Sequence, residues 1–150
     1  MWRIQGSEIR ATGTVVATVN VDSGPTALPV GTVTILPTPP KLVNIVADRT
    51  SDGLRVQVTG YSPERKLSNA GFGFDVRTPA GMQHVNLVRN VESDFTTWYS
   101  SAASVAYGST FVFEQLFSVQ GDASMIDSVT VSLTNAQGTA SSAPVTIISN

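Results

Sequence analysis

His84 is the single histidine of the chain, so any site that needs a side chain titrating near neutrality must use it. It lies in Gln83-His-Val-Asn-Leu87, where alternation sets it opposite Val85 and Leu87 on a solvent-facing strand surface. A Ser-His-Asp relay would need a serine in a Gly-x-Ser-x-Gly or comparable nucleophile setting, and none occurs. Three carboxylate pairs invite a metal: Asp48 with Asp52, Glu92 with Asp94, and Asp122 with Asp127. Calcium takes about six to eight oxygens, and none of these pairs has the spacing of a calcium loop, so Asp turn chemistry is the better account. Asp122-Ala-Ser-Met-Ile-Asp127 is the second choice, as an inter-module calcium site. Eleven scattered acids show no pair poised across a cleft for glycoside hydrolysis. The expectation is a protein with no catalytic residues, no metal site and no cofactor.

Aromatic residues carry the remaining chemistry. Trp98 and Tyr99 are adjacent, and on a strand they would point to opposite faces. Tyr61, Tyr99 and Tyr107 lie at or beside loops and together would make a stacking platform for sugar rings. The competing assignment makes Trp98 the core tryptophan of a sandwich and uses the tyrosine hydroxyls to anchor loops.

The elements that must position these residues are strands. Among 150 residues, Val (20), Ser (17) and Thr (17) make up more than a third, while Lys and Glu together number six. That balance favours pleated sheet over helix. Nine basic and eleven acidic residues give a net charge of −2 without a Lys/Arg cluster, which argues against nucleic-acid binding. No cysteine is present, which removes thiolate chemistry, Cys-based zinc sites and disulfides. No run approaches the ~18 apolar residues of a membrane span. Met1-Trp-Arg-Ile-Gln-Gly6 lacks the apolar stretch of a signal peptide, so an export signal would lie outside this chain.

Along the chain, residues 14–21 alternate as a half-buried strand, and residues 23–40 carry no charge and five of the eight prolines. Leu36-Pro-Thr-Pro-Pro40 reads as a stiff linker. It sets a boundary between an N-terminal hairpin, residues 1–37, and a main domain, residues 38–150. In the main domain, strands are expected at Leu42–Asp48, 54–59, 71–76, Gln83–Val91, Thr110–Val119, 129–133 and 145–147, with a short one at Phe95–Tyr99. Residues 100–109 read as a loop with room for a helical turn. The expected core is Val56, Val58, Phe72, Phe74, Trp98, Phe111, Phe113, Phe117, Val129, Val131 and Leu133. Gly71, Gly73 and Asp75 leave the opposite face of the Phe72 strand nearly bare, open to close approach.

The chain also repeats itself. Gly13-Thr-Val-Val-Ala-Thr-Val-Asn-Val-Asp-Ser-Gly24 followed by Val33-Thr-Ile35 parallels Ser128-Val-Thr-Val-Ser-Leu-Thr-Asn-Ala-Gln-Gly138 followed by Val145-Thr-Ile147. The offset is close to the ~100 residues of one immunoglobulin-like sandwich, so the hairpin reads as the end of a preceding module. These segments, with Val56-Gln-Val-Thr-Gly-Tyr-Ser62, Phe72-Gly-Phe74, Phe95-Thr-Thr-Trp-Tyr-Ser100 and Phe117-Ser-Val-Gln-Gly-Asp122, resemble an immunoglobulin-like, fibronectin type III-like repeat of large secreted bacterial proteins. The resemblance implies an all-β, immunoglobulin-like Greek-key β-sandwich of seven to eight strands, preceded by the extra hairpin. It also implies a non-enzymatic structural or spacer module at the cell surface or outside the cell, whose partners are neighbouring modules of the same protein. Two alternatives stand beside it: a carbohydrate-binding or adhesive module using the three tyrosines on glycans, and a homopolymer subunit that completes a second copy's sheet with residues 13–35.

Overall fold

Alternation along each strand decides which residues enter the core. In β4 (Gly53–Tyr61), Leu54, Val56 and Val58 are buried while Arg55, Gln57 and Thr59 stay partly exposed. In β8 (Ile126–Asn135), Val129, Val131 and Leu133 do the same against Thr130, Ser132 and Thr134. The computed structural model describes residues 13–19 and 28–149. The order is β1 (Gly13–Val19), β2 (Leu28–Ile35), β3 (Lys41–Thr50), β4, β5 (Asn69–Thr78), β6 (Gly81–Asn90), α1 (Glu92–Ser100), α2 (Ala102–Val105), β7 (Thr110–Ser118), a 3-10 turn at Ala123–Met125, β8, β9 (Gly138–Ser141) and β10 (Val145–Thr146).

Two antiparallel sheets pack together as a sandwich. One has the order β3-β4-β7; the other runs β10-β8-β5-β6, with β9 also on β8. Residues 119–125, between β7 and β8, carry the chain from the first sheet to the second. Burial of Phe72, Phe74, Phe111 and Phe113 against the valines of β4 and β8 supplies the main apolar stabilisation. Phe117 is only partly buried, yet its ring meets Phe72 and Phe74 edge-on at centroid distances of 4.9 and 5.1 Å.

One flank of the sandwich is sealed by the C-terminal segment. After pairing Val145 with Val129, the chain leaves the second sheet and joins β3: the Ile148 amide donates to the Ala47 carbonyl (2.9 Å) and the Arg49 amide to the Ile148 carbonyl (3.0 Å). At the turn between β3 and β4, Gly53 has φ +151°, and a Cβ there would lie 2.0 Å from the Phe117 carbonyl oxygen, so only glycine fits. Gly71 and Gly73 have a different reason. A Cβ on Gly73 would lie 2.8 Å from the His84 ring, and one on Gly71 would lie 2.4 Å from the Ser132 hydroxyl. The bare face is therefore covered by side chains from the two neighbouring strands.

The region after β6 corrects the sequence reading. The expected short strand at Phe95–Tyr99 is helix α1, and the 100–109 loop holds the one-turn helix α2. Val91, Phe95 and Tyr99 recur every fourth residue and are all buried, which is helical spacing that strand alternation cannot satisfy. Glu92 and Asp94 place negative charge in the first turn, and the Asn90 side chain accepts from the Glu92 amide at 3.1 Å. The change of element also exchanges the roles of Trp98 and Tyr99. Trp98, expected in the core, is half-buried at its margin, whereas Tyr99 is 8 % exposed and part of the core.

The N-terminal strands β1 and β2 form a separate two-stranded antiparallel sheet, paired Thr14 to Thr34 and Val15 to Val33. The expected turn of this hairpin and residues 1–12 lie outside the described residues. The linker is anchored to the sandwich. The buried Asn135 side chain donates to the Thr38 carbonyl at 2.9 Å and accepts from the Gln137 amide at 2.9 Å, while Pro40 is buried. Only Leu36 and Pro37 separate β2 from that anchor.

Candidate functional site

The three tyrosines occupy different environments. Tyr99 sits on α1 with its ring in the core and its hydroxyl donating to the Ser109 carbonyl at 2.7 Å. Burial pushes its phenol pKa well above the usual tyrosine range. Arg65, held at φ +56°, lies over the same ring at 5.3 Å and donates to the Tyr99 carbonyl (2.5 Å) and the Ser104 hydroxyl (2.8 Å). Tyr99 thus ties together the loops around residues 62–65 and 104–109. Tyr61 is partly exposed at the end of β4, opposite Thr110 in the ladder. Tyr107 is 61 % exposed, between α2 and β7.

What the fold brings together is Tyr107 and Trp98. Their ring centroids lie 6.1 Å apart at an interplanar angle of 38°. The Trp98 indole N–H points to the Thr110 carbonyl at 3.4 Å. A groove of ≈ 270 Å³ opens beside them, lined by Trp98, Tyr107, Thr110, Phe111 and Val112. A second, of ≈ 180 Å³, lies between α1 and β7 and adds Phe95, Phe113 and the carboxylates of Asp94 and Glu114. Apolar walls with a few polar groups at the rim suit an amphipathic ring better than an ion. Sequence reasoning missed Trp98 as a surface residue because a strand was assumed. Helical spacing from Val91 puts Trp98 one position off the buried row, at the boundary with solvent.

His84 is half exposed on the outer face of the second sheet. Its Nδ1 is 2.8 Å from Asp75 Oδ1, and the Ser128 hydroxyl donates to Asp75 Oδ2 at 2.6 Å. The carboxylate thus stands between serine and imidazole. In a nucleophilic relay the imidazole must stand between the other two, so His84 is not placed to take the Ser128 proton.

The candidate carboxylates are engaged in structure. Asp122 caps the 3-10 turn by accepting from the Ser124 amide at 2.8 Å, and hydrogen bonding from the Ser124 side chain first and that amide second holds its pKa below the ordinary value. Asp127 forms a forked pair with Arg77, with one arm from Nε to Oδ2 at 3.1 Å, and that pairing lowers its pKa. Asp75 is lowered by the Ser128 hydroxyl first and His84 second. Among the described residues no group of three or more His, Cys, Asp or Glu side chains is arranged to hold a metal. Nor is any described helix long and apolar enough to cross a membrane.

Those depressed values set an acid response. A carboxylate whose folded pKa lies below its unfolded value contributes stability at higher pH; this contribution begins to fall near the unfolded value of ~3.9 and is lost as pH drops through the folded one. Arg77→Ala should therefore move the Asp127 pKa up toward the ordinary value and weaken the stability difference between neutral and acidic solution. Carboxyl-carbon NMR titration reads the first effect, and denaturant melts at two pH values read the second. An unchanged Asp127 titration would show that Arg77 is not what holds it.

No family model, no curated protein and no solved structure matches the chain.

Proposed function

We propose that the protein is a non-enzymatic, immunoglobulin-like structural module that acts in a tandem array outside the cell, spacing or presenting its neighbours. The strand order supports the finer fold. With β3 to β8 taken in order as A, B, C, C′, E and F, and β9 and β10 as the final strand G, A-B-E packs on C′-C-F-G, with the fourth strand on the second sheet. The anchored linker supports a spacer role, since two free residues between hairpin and anchor leave little slack for reorientation.

The observation that carries the array is a coincidence of register. The sequence repeat equates Val15 with Val129 and Val33 with Val145, and the pairs in space are Val15–Val33 and Val129–Val145. The neighbouring pairs, Thr14–Thr34 and Ser128–Thr146, correspond as well. Two segments that share both spacing and pairing read as the same hairpin of successive copies. On this reading β1–β2 is the closing hairpin of the preceding module.

An isolated two-stranded hairpin is marginal in water. Amide exchange on the 150-residue chain should find residues 13–35 exchanging freely while β4 and β8 are strongly protected. Fusing a copy of residues 38–127 ahead of Gly13 should raise protection in 13–35 toward that of 128–146. Strong protection of the hairpin in the unfused chain would defeat the reading, because the hairpin would then already have its partner.

A second reading rests on the Trp98–Tyr107 groove: a half-buried tryptophan and an exposed tyrosine beside a shallow apolar cavity make a stacking surface for sugar rings. It keeps Tyr107 from the expected platform and replaces Tyr99 with Trp98. Glycan binding that disappears in Tyr107→Ala would favour it over a purely mechanical role.

A further inference from the structure

The sandwich has one sealed flank and one open flank, and the open one is apolar. β6 and β7 are the outermost strands of their sheets on the side away from the β3–Ile148 seal. Of the eleven large apolar side chains exposed among the described residues, four (Met82, Val85, Leu87, Val88) lie on β6 and two (Val112, Leu116) on β7. All ten residues of β6 are exposed. The register with β5 explains why. Val85 and Leu87 lie opposite Phe74 and Phe72 and so share their core-facing side, yet they remain 42 % and 46 % exposed because β6 overhangs the narrower sheet. Arg89, on the same side, spans the step by donating to Gln115 on β7 and to Asp94 on α1.

Edge strands are normally protected from pairing by lysine, proline, a bulge or shortness. β6 has none of these, and its one core-facing charge, Arg89, which could also guard an edge, is turned back onto Gln115 and Asp94: the strand runs ten residues, pairs with β5 without a register shift, and carries neither Lys nor Pro. An occupant must be a strand with apolar side chains on both faces and no cation opposite Arg89. β6 itself meets both conditions.

We propose that β6 is a homotypic interface, pairing antiparallel with β6 of a second copy about a two-fold axis at Asn86. In that register Val85 faces Leu87 of the second copy and Arg89 faces its Gln83, so the single cation of each strand meets a neutral partner. The alternative parallel, in-register pairing would set Arg89 beside Arg89. The four core-facing apolar side chains then cover one another beneath a sheet continuous across both molecules, and the interface is isologous and closed. This pairing is independent of the array reading: in an array it would join modules side by side.

Light scattering and sedimentation on the 150-residue chain should show a concentration-dependent dimer. Val85→Lys with Leu87→Lys places charges on two already exposed positions and should raise the dissociation constant at least about tenfold, with the monomer's thermal transition unchanged. Because the chain lacks cysteine, Asn86→Cys gives a direct register test. Mild oxidation should cross-link that variant to itself quickly, whereas Ser51→Cys, on a distant turn, should not cross-link. A monomer at every concentration, with no cross-link in the Asn86→Cys variant, would overturn the proposal. So would a dimer that survives the β6 lysines and is lost with Leu116→Lys, since the interface would then be β7.

Discussion

Phe95→Ala should destabilise the fold by about 3–5 kcal/mol, the range for removing a fully packed aromatic ring from a core. Phe95 is the residue through which α1 enters the sandwich. Its ring stands edge-on to Phe111 at 4.9 Å, contacts Phe113 at 5.6 Å and lies 6.1 Å from Tyr99. Because the helix follows β6 and leads into β7, it covers the end of the core that neither sheet closes. Truncation would leave a void that backbone hydrogen bonds at Val91 and Ser101 resist collapsing. Thr97→Ala, two residues on and facing solvent, should change stability by less than about 0.5 kcal/mol. Equilibrium denaturation of the two variants checks this. A strand at 95–99 would bury 95, 97 and 99 together and make both substitutions matter, so a large Thr97 effect would refute the helical packing.

The same segment marks the limit of what the sequence discloses. Strands β4, β5, β7 and β8 were legible because period-two alternation of large apolar residues has one structural solution, and nine of the eleven expected core residues are buried. Residues 91–100 are short and polar, with aromatics at both adjacent and four-residue spacings; adjacency suggested a strand, and the four-residue spacing was the true signal. The candidate site followed that error. Once Trp98 belongs to a helix, its neighbour in space is Tyr107, nine residues on, a pairing that only the α1–α2 turn creates. Leu67, a lone apolar residue in a polar loop, and Val91, read as the last residue of a strand, are absent from the expected core for a related reason: the burial of each is decided by the packing of other elements. The open flank was hidden too, because Val85 and Leu87 alternate like core residues and their exposure follows from unequal sheet widths.

Arg49→Met should cost about 2–4 kcal/mol, more than a surface arginine ordinarily could. The Arg49 guanidinium donates to three backbone carbonyls, Ala123 (3.2 Å), Ile126 (2.8 Å) and Ile147 (2.9 Å), and to the Ser149 hydroxyl (3.1 Å). It therefore fastens the 3-10 turn, the start of β8 and the C-terminal segment to β3. A hydrogen bond from a charged donor contributes about 1.5–3 kcal/mol, and the more exposed carbonyls recover water when it is lost, so the net falls short of the sum. Methionine keeps most of the aliphatic stem, which separates the loss of donors from the loss of packing. Lysine keeps the charge without the planar fork and should recover only part of the difference. Amide exchange supplies the local test: the Ile148 and Arg49 amides, which pair the terminus with β3, should lose protection before β4 or β5 does. If Arg49→Met melts like the parent and those amides stay protected, the backbone pairing alone seals that flank, and the arginine is incidental to it.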